Sequence, residues 1–326
     1  MKVCIYGAGA IGGYLAVELK RAGVDVTCIA RGDHLRAIQK NGLKLLIGGE
    51  EHIEKMPCTD DPNDLGPQDY VIVAVKAPSA HSVAQRMTPL LGRDTAVVTA
   101  QNGIPWWYFY QHGGPYDGRR IASVDPGNSQ WKFIGPERAI GCVVYPAAEI
   151  VEPGVIKHIY SNRFSIGEPD RSKSTRLLIL SDMLSNAGFK ARVRTNIRDE
   201  IWVKLWGNLS FNPVSALTGG TIRQIIEDPG ALTIIRAMML EAKLIAESLG
   251  VTFKIDLDKR IAGALEVGDH KTSMLQDLEK GRIMEVDALL GVVQELGRLN
   301  KIQTPTIDTV LALVKLEGKL AGAYNA

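Results

Sequence analysis

The stretch that decides the fold of this chain is Val3-Cys-Ile-Tyr-Gly-Ala-Gly-Ala-Ile-Gly-Gly-Tyr-Leu-Ala-Val-Glu-Leu-Lys20. Its apolar start is typical of a buried strand, and its end is typical of a helix. The turn between them carries three glycines in the spacing Gly7-x-Gly9-x-x-Gly12. Gly7 permits the tight bend, Gly9 lets the backbone approach a pyrophosphate, and Gly12 allows the helix to pack closely on the strand. This context favours a dinucleotide-binding turn over a turn that is only structural.

The helix after the glycine turn gives a second reason to expect a phosphate there. Its first backbone N–H groups have no acceptor within the helix. Those groups and the positive end of the helix dipole attract an anion. We therefore assign Gly7, Gly9, Ala10, Ile11 and Gly12 to cofactor binding.

The second predicted strand, residues 24–30, is followed directly by Arg31. An NAD site would place an acid near this strand end to bind the ribose 2′-hydroxyl, whereas an arginine accommodates a 2′-phosphate. A guanidinium also matches phosphate oxygens in geometry. The alternative is that Arg31 is simply solvated and that Asp33 is the ribose acid. Because Arg31 occupies the better position, we predict NADP(H) as the cofactor.

Length and composition indicate a globular protein of one large or two ordinary domains. The chain has 326 residues and a formal net charge of +2, and neither this charge nor any run of Lys and Arg indicates a nucleic-acid partner. No apolar run approaches the length of a membrane span, and the N-terminus enters a strand rather than a signal peptide. The four cysteines and six histidines show no metal-ligand spacing. We predict no metal, no membrane contact and a cytoplasmic location, which the isolated cysteines suit.

Strand and helix signals alternate through the first half of the chain. The apolar run Tyr70–Val75 is typical of a parallel strand that is buried on both faces. The alternation predicts an α/β fold with a Rossmann-type, doubly wound sheet. Closely spaced strand signals at residues 139–145, 154–160 and 163–167 predict an antiparallel extension of that sheet.

Beyond residue 196 strand signals largely vanish and helical periodicity dominates. We expect helices over residues 197–212, 229–249, 257–267, 273–280, 283–299 and 306–316. The sequence therefore predicts two domains, a nucleotide-binding domain over residues 1–195 and an all-helical domain over residues 196–326.

The first helix of the second domain carries polar side chains on its apolar side. On a helical wheel Lys204, Asn208 and Asn212 lie within about 80° of one another, at the edge of the apolar face and inside it. Buried amides and ammonium groups need partners, which a ligand cleft would supply. The alternative is that Lys204 extends to solvent and that the asparagines satisfy backbone groups where Pro213 stops the helix. Beside a nicotinamide domain we favour the cleft, with the Lys204 amine in the crevice that receives the pyridine ring.

Two first-domain residues follow predicted strands. Lys76 comes after the strand 70–75, and Asn102 comes after the strand 95–100. Ligands of open α/β sheets bind beyond the carboxyl ends of strands, so we expect both residues at the cofactor. The alternative is that each lies in an ordinary turn, since Asn-Gly is a strong turn dipeptide.

Two polar residues of the second domain have both a structural and a functional interpretation. Ser273 fits a capping box with Gln276. Glu285 fits the first turn of the next helix, where an acid interacts well with the helix dipole. A chain reversal at Gly281 could nevertheless bring both side chains to the mouth of one site.

Together these motifs resemble the ketopantoate reductase family. The resemblance runs in family order over nearly the whole chain, from the glycine turn through Arg31, Lys76 and Gln101-Asn102-Gly103. Its most specific parts are Asn196-Ile-Arg-x-Glu200-x-Trp202-x-Lys204-Leu-x-x-Asn208-x-x-x-Asn212-Pro213, Ser273-Met-Leu-Gln-Asp277 and Glu285-x-Asp287. The resemblance implies NADPH-dependent reduction of 2-dehydropantoate (ketopantoate) to (R)-pantoate, a step towards pantothenate.

The resemblance also implies roles for individual residues. The family's catalytic lysine falls on Lys204, which would act as general acid, and its substrate-binding glutamate falls on Glu285. We assign both to catalysis, with Glu285 and Asn102 also in contact with the cofactor. The residues assigned to substrate binding are Asn102, Asn208, Asn212 and Ser273.

Two features depart from the family pattern. Gly219-Gly220-Thr221 stands where members often carry an asparagine-bearing loop, and residues 105–136 form a longer segment with an aromatic run. That run is more typical of core or of an oligomer contact than of a substrate lid. We therefore keep two alternatives, a paralogous reductase of another 2-oxo acid and a non-catalytic NADP(H)-binding sensor. The predicted partner is a small 2-oxo acid, and a homodimer stays open because helical second domains often associate.

Overall fold

The computed structural model describes residues 1–266 and 268–325, and the chain divides into two compact units. The first unit consists of residues 1–101, 105–120 and 127–197. The second consists of residues 102–104, residues 121–126 and the chain from residue 198 onwards. Two short segments from within the predicted first domain, residues 1–195, therefore belong to the second unit.

The first unit is built on β-strands, which in chain order are β1 (Lys2–Tyr6), β2 (Asp25–Ile29), β3 (Leu43–Ile47), β4 (Glu50–Glu54), β5 (Cys58–Thr59), β6 (Gln68–Val73), β7 (Leu91–Thr99), β8 (Ala139–Val144), β9 (Ala147–Glu152), β10 (Val155–Tyr160), β11 (Arg163–Gly167) and β12 (Lys190–Val193). Eight of these described strands form a sheet in the order β12-β11-β8-β7-β6-β1-β2-β5, and four form a sheet in the order β4-β3-β10-β9. In the larger sheet the pairs from β5 to β8 are parallel, whereas β8 and β11 are antiparallel. The predicted doubly wound α/β fold is confirmed.

The helices of the first unit are α1 (Ala10–Arg21), α2 (Gly32–Asn41), α3 (Ala77–Val83), α4 (Ser129–Phe133) and α5 (Thr175–Asn186). Val3 and Ile5 point to one face of β1 and Cys4 points to the other, and all three are fully buried, as expected of a central parallel strand that is covered on both faces. The aromatic run Trp106–Phe109 is also buried, and the Trp107 indole donates to the Thr99 hydroxyl at 3.0 Å. This part of the long segment is therefore core and not a lid.

The smaller sheet corrects one prediction. Residues 154–160 do not extend the larger sheet, because β10 pairs with β3 and β9 instead. Ile156 of β10 is fully buried, and a Cβ on Gly13 would lie 2.7 Å from its side chain. The smaller sheet therefore packs on α1. The two adjacent glycines allow α1 to pack closely on two different strands, since Gly12 faces β1 and Gly13 faces β10.

The second unit begins with α6 (Ile197–Thr218), although the first residue of this helix belongs to the first unit. The helical elements that follow are α7 (Ile222–Glu227), α8 (Pro229–Ser248), α9 (Leu257–Leu265), α10 (Ser273–Glu279), a π-helical turn (Asp287–Gly291), α11 (Val292–Leu299) and α12 (Pro305–Leu320). The helix predicted over residues 257–267 ends at Leu265, and Val267 lies outside the described residues. None of the described helices is long and apolar enough to cross a membrane.

Pro213 lies inside α6 and does not stop it, contrary to the prediction. A proline within a helix removes one hydrogen bond and is unfavourable by about 3 kcal/mol. Burial of large apolar side chains around it, among them Leu209 and Phe211, offsets that penalty. The helix ends instead before Gly219, which has φ +71° and donates its N–H to the Ser215 carbonyl at 2.9 Å. The polar stripe of α6 therefore lies inside a continuous helix.

The two short segments of the second unit are held by hydrogen bonds to its helices. The Ile104 N–H donates to the Ala288 carbonyl at 3.3 Å. The backbone N–H groups of Ala122 and Ser123 donate to the Glu295 carboxylate at 3.0 and 2.9 Å. Charge-assisted bonds of this kind are among the stronger ones in proteins.

Candidate functional site

The glycine turn lies where the strand order of the larger sheet reverses. β1 has β2 on one side and β6 on the other, so successive parts of the chain build the sheet in opposite directions from it. Gly7 follows β1 directly. In open α/β sheets this switch point, at the carboxyl ends of the strands, is where ligands bind.

The three glycines of the turn have different surroundings. Gly7 has φ +102°, and a Cβ there would lie 2.9 Å from the backbone nitrogen of Val75. A Cβ on Gly12 would lie 2.0 Å from the carbonyl oxygen of Gly7, so both positions require glycine for packing. Around the corresponding position at Gly9, no atom lies within 4 Å apart from those of Gly9 and its neighbours in the chain. The missing side chain of Gly9 thus leaves open surface beside the start of α1.

That start of α1 fits a phosphate group. Gly9 is the N-cap residue and makes no side-chain capping bond, and Ala10 and Ile11 are only half-buried. The first N–H groups of α1 have no acceptor within the helix, and they lie beside the surface that Gly9 leaves open. These residues fit the pyrophosphate of a dinucleotide.

Arg31 lies where the sequence placed it, between β2 and α2. It is the N-cap residue of α2 and is exposed. The alternative ribose acid, Asp33, lies in the first turn of α2 and pairs with Arg36. Arg31 therefore has the position from which a 2′-phosphate can be bound.

Lys76 and Gln101 lie at the ends of the neighbouring strands. Lys76 is half-buried and is the N-cap residue of α3, directly after Val75, which packs on Gly7. The Gln101 amide donates to the Val75 carbonyl at 2.8 Å and so ties the two strand ends together. Gln101 by itself has no role predicted from the sequence.

In the second unit a lysine, an amide and a carboxylate form a connected chain. The Lys204 ammonium donates to the Asn102 side-chain oxygen at 2.6 Å, and the Asn102 NH₂ donates to the Glu285 carboxylate at 2.9 Å. All three residues are half-buried, so a ligand can reach them. We call this group the Lys204–Asn102–Glu285 relay. The amide orients the cation at one end and the anion at the other.

Asn102 reaches the relay because Gly103 approaches the π-helical turn. Gly103 has φ +88°, and a Cβ there would lie 2.0 Å from the Ala288 carbonyl oxygen. The glycine of the Asn-Gly pair is therefore needed for close contact with the π-helical turn, and not only for a turn of the chain. Short π-helical turns are frequent at functional sites, since they redirect backbone groups.

The sequence predicts Glu285 in the first turn of a helix, and this prediction is wrong. Glu285 lies before the π-helical turn, outside any helix. The Met284 N–H donates to the Ala323 carbonyl at 2.8 Å. Asp287 accepts from the Tyr324 hydroxyl at 2.8 Å and pairs with Lys315 at 2.7 Å. Contacts on both sides therefore hold the short segment that carries Glu285.

Ser273 does not cap α10, so the structural interpretation of it as the first residue of a capping box is wrong. The N-cap residue is Thr272, whose hydroxyl accepts from the Leu275 N–H at 3.3 Å. Ser273 is exposed, and its hydroxyl accepts from the Asn212 amide at 3.4 Å. Ser273 therefore has no capping role, and its exposed hydroxyl is a candidate group for ligand binding.

The polar stripe of α6 links these groups. Lys204, half-buried Asn208 and buried Asn212 follow one another at intervals of one helical turn, so the stripe is about 12 Å long. The relay lies at the Lys204 end, and Ser273 lies at the Asn212 end. Gly281, with φ +60°, follows α10 where the chain reverses. The second unit therefore places an ammonium, a carboxylate, amides and a hydroxyl along one stripe.

Comparison with known proteins gives matches over both units. The family model described as ketopantoate reductase PanE/ApbA matches residues 3–109, and the model of the C-terminal part of that family matches residues 196–317. A 2-dehydropantoate 2-reductase from Mesorhizobium japonicum is 55% identical over 100% of both chains. A crystal structure described as a ketopantoate reductase from Ralstonia solanacearum has a TM-score of 0.94 and 42% identity, with 99% of each chain covered.

More distant structures share the fold. The ternary structure of D-mandelate dehydrogenase with NADH and anilino(oxo)acetate has a TM-score of 0.85 at 22% identity, with 99% of this chain and 100% of that chain covered. At that identity the likeness concerns the fold alone.

Proposed function

The chain belongs to the ketopantoate reductase family of nicotinamide-dependent oxidoreductases, and on that premise we propose that it reduces 2-dehydropantoate to (R)-pantoate with NADPH. It is an oxidoreductase that acts on CH–OH groups. The observation that carries the proposal is the Lys204–Asn102–Glu285 relay, because it supplies an oriented ammonium to a ketone whose oxygen becomes negative during reduction.

The chemistry asked of Lys204 is charge stabilisation followed by proton transfer. NADPH, when bound, supplies the hydride that adds to the keto carbon. The electron pair of the C=O π bond moves to the oxygen, and the Lys204 ammonium gives that oxygen a hydrogen bond and then a proton. The alcohol is the product, and the neutral amine regains a proton from water.

The other residues of the second unit would hold the substrate in place. Glu285 can accept a hydrogen bond from a substrate hydroxyl while it keeps the Asn102 amide oriented. The Ser273 hydroxyl and the amides of Asn208 and Asn212 can donate to the carboxylate of the 2-oxo acid. Preorganised donors of this kind raise the rate because they need no rearrangement in the transition state.

The first unit would hold the cofactor. The start of α1 beside Gly9 supports the assignment of Gly7, Gly9, Ala10, Ile11 and Gly12 to the pyrophosphate. The exposed guanidinium of Arg31 at the end of β2 supports a 2′-phosphate, and hence NADPH rather than NADH. Lys76, beside Val75, is proposed as a further cofactor contact.

A panel of 2-oxo acids assayed by NADPH oxidation tests the proposal. We expect 2-dehydropantoate to give the highest kcat/KM and (R)-pantoate to be the product. A higher kcat/KM for another 2-oxo acid would show that this acid is the substrate, and the proposed type of reaction would stay the same. Tight NADPH binding without turnover of any 2-oxo acid in the panel would contradict the proposed reductase activity and favour a non-catalytic sensor.

One observation favours a second candidate, a reductase of another 2-oxo acid. Gly219 and Gly220 follow α6 and contribute no side chain, and the Ser215 hydroxyl donates to the Gly220 carbonyl at 2.7 Å. The amide that members often carry after the proline is therefore missing. The same panel separates the two substrates.

We also propose a homodimer and a cytoplasmic location. Some members of the family are dimers, and exposed leucines on α8 and α12, such as Leu244 and Leu320, support association of this chain. All four cysteines are buried free thiols, as in proteins of a reducing compartment. Light scattering of the purified protein measures the assembly.

A further inference from the structure

His34, in the first turn of α2, contacts backbone groups through both ring nitrogens. Its Nε2 lies 2.7 Å from the Ala8 carbonyl oxygen, and the Gly154 N–H donates to its Nδ1 at 3.0 Å. Gly154 can come this close because it has φ +80° and packs on Ala37 of α2. One half-buried side chain thus joins the glycine turn to the loop between β9 and β10.

These two contacts define the state of the ring. Because an N–H donates to Nδ1, that nitrogen carries a lone pair and no proton. The proton of the neutral imidazole then lies on Nε2, which donates to the Ala8 carbonyl. The geometry requires this single tautomer.

The Ala8 carbonyl controls the direction of the next N–H group. A trans peptide is planar, so the C=O of Ala8 and the N–H of Gly9 point in opposite directions. The N–H groups of Gly7 and Ala8 both donate to the Ile29 carbonyl, at 3.1 and 2.9 Å. Gly9 therefore provides the next N–H along the turn, beside the open surface at the start of α1.

We propose that His34 is a positioning residue for the cofactor: through the Ala8 carbonyl it aims the Gly9 N–H at the pyrophosphate of the dinucleotide. This inference rests on the proposed function, since it requires the glycine turn to bind NADPH. His34 acts on cofactor affinity and leaves the reducing step unchanged.

Substitution of His34 tests the proposal in the full-length protein. His34→Ala should raise the Kd of NADPH and its KM about five- to tenfold, the value of one neutral hydrogen bond. The kcat at saturating NADPH and the KM of the 2-oxo acid should stay within about twofold, since no substrate group is altered. The matched control is Gln39→Ala, which removes another bond from α2 to backbone, that of the Gln39 amide to the Cys58 carbonyl at 2.9 Å.

Two conservative variants separate positioning from general support. The glutamine of His34→Gln is long enough for its NH₂ to donate to the Ala8 carbonyl, so this variant should restore most of the affinity for NADPH. The shorter asparagine of His34→Asn can replace only the contact of Nδ1, so this variant should not restore it. Equal Kd values for His34→Ala and the wild type, or equal losses for His34→Ala and Gln39→Ala, would overturn the proposal. Absence of NADPH binding by the wild type would instead overturn the proposed function, so the two failures are distinguishable.

Discussion

The glycine turn and the Lys204–Asn102–Glu285 relay, the proposed sites for cofactor and substrate, would recognise their ligands by opposite means. The turn offers backbone N–H groups, and its glycines act by lacking side chains. The relay offers side chains that orient one another through two hydrogen bonds, of 2.6 and 2.9 Å. Backbone recognition depends on shape and tolerates few changes of volume. Side-chain recognition depends on particular charged and polar groups, so each can be removed with little disturbance of the fold. Variants of the two regions should therefore fail in different ways.

The largest expected effect is that of Lys204→Ala on turnover. Loss of the ammonium should lower kcat by about 10²–10³-fold, because the developing oxyanion loses its main donor. The Kd of NADPH, measured by fluorescence, should not change. Lys243→Ala, at an exposed ion pair on α8, is the control. An unchanged kcat would remove Lys204 from the mechanism.

Arg31→Ala should have the next largest effect, and on the cofactor alone. The Kd of NADPH should rise about 10- to 100-fold, as for loss of a hydrogen bond to a charged group, whereas the Kd of NADH should stay constant. Arg36→Ala removes a neighbouring exposed guanidinium on α2 and serves as control. Equal losses for both dinucleotides would show that Arg31 does not bind a 2′-phosphate.

Gly9→Ala and Gly12→Ala should distinguish a glycine that leaves room for the cofactor from a glycine that is needed for packing of the fold. An added Cβ at Gly9 meets no protein atom, so Tm should stay near that of the wild type while the Kd of NADPH rises about tenfold. The same atom at Gly12 would meet the Gly7 carbonyl oxygen at 2.0 Å, so Tm should fall. Similar Tm values for the two variants would contradict this distinction.

The smallest effect is a loss of stability of the first unit in alkali. Burial raises the pKa of Cys4 and of Cys58 to about 12 from an ordinary 9.0, and burial raises the pKa of Tyr14 to about 12 from 10.0. A group with a raised pKa in the folded state stabilises fully below its unfolded pKa, and this contribution is lost as the pH rises towards the folded value. The free energy of unfolding should therefore fall between about pH 9 and 12. Denaturant titrations at several pH values measure it, and Cys4→Ala should show a shallower fall than the wild type.

Several features of the fold and the site could be read from the sequence because they depend on local pattern. The glycine spacing defines the turn, and the helical wheel places Lys204, Asn208 and Asn212 on one stripe. The prediction that α6 ends at Pro213 is wrong, because burial of the neighbouring side chains outweighs the local preference against proline in helices. The separate smaller sheet could not be predicted, since strand pairing is set by packing on α1 rather than by the strand's own residues.

The remaining site features needed the folded chain for a different reason. Thr272 and Ser273 are equally suitable caps, and only the backbone angles select Thr272. Asn102 and Glu285 are 183 residues apart, so no spacing rule joins them. The position of Asn102 after a strand predicts a cofactor contact, and the family resemblance implies the catalytic role of Glu285. No local pattern singles out His34, because its proposed role depends on two backbone contacts, one of them 120 residues away.

The interleaving of the two units restricts how this enzyme can be dissected. A cut at residue 197 would leave a helical fragment without Asn102, so the amine and the carboxylate would lose the amide that connects them. The fragment would also lack Ala122 and Ser123, and the Glu295 carboxylate would lose both backbone donors. Chimaeras that exchange substrate specificity between relatives therefore have to transplant three separate pieces of chain together.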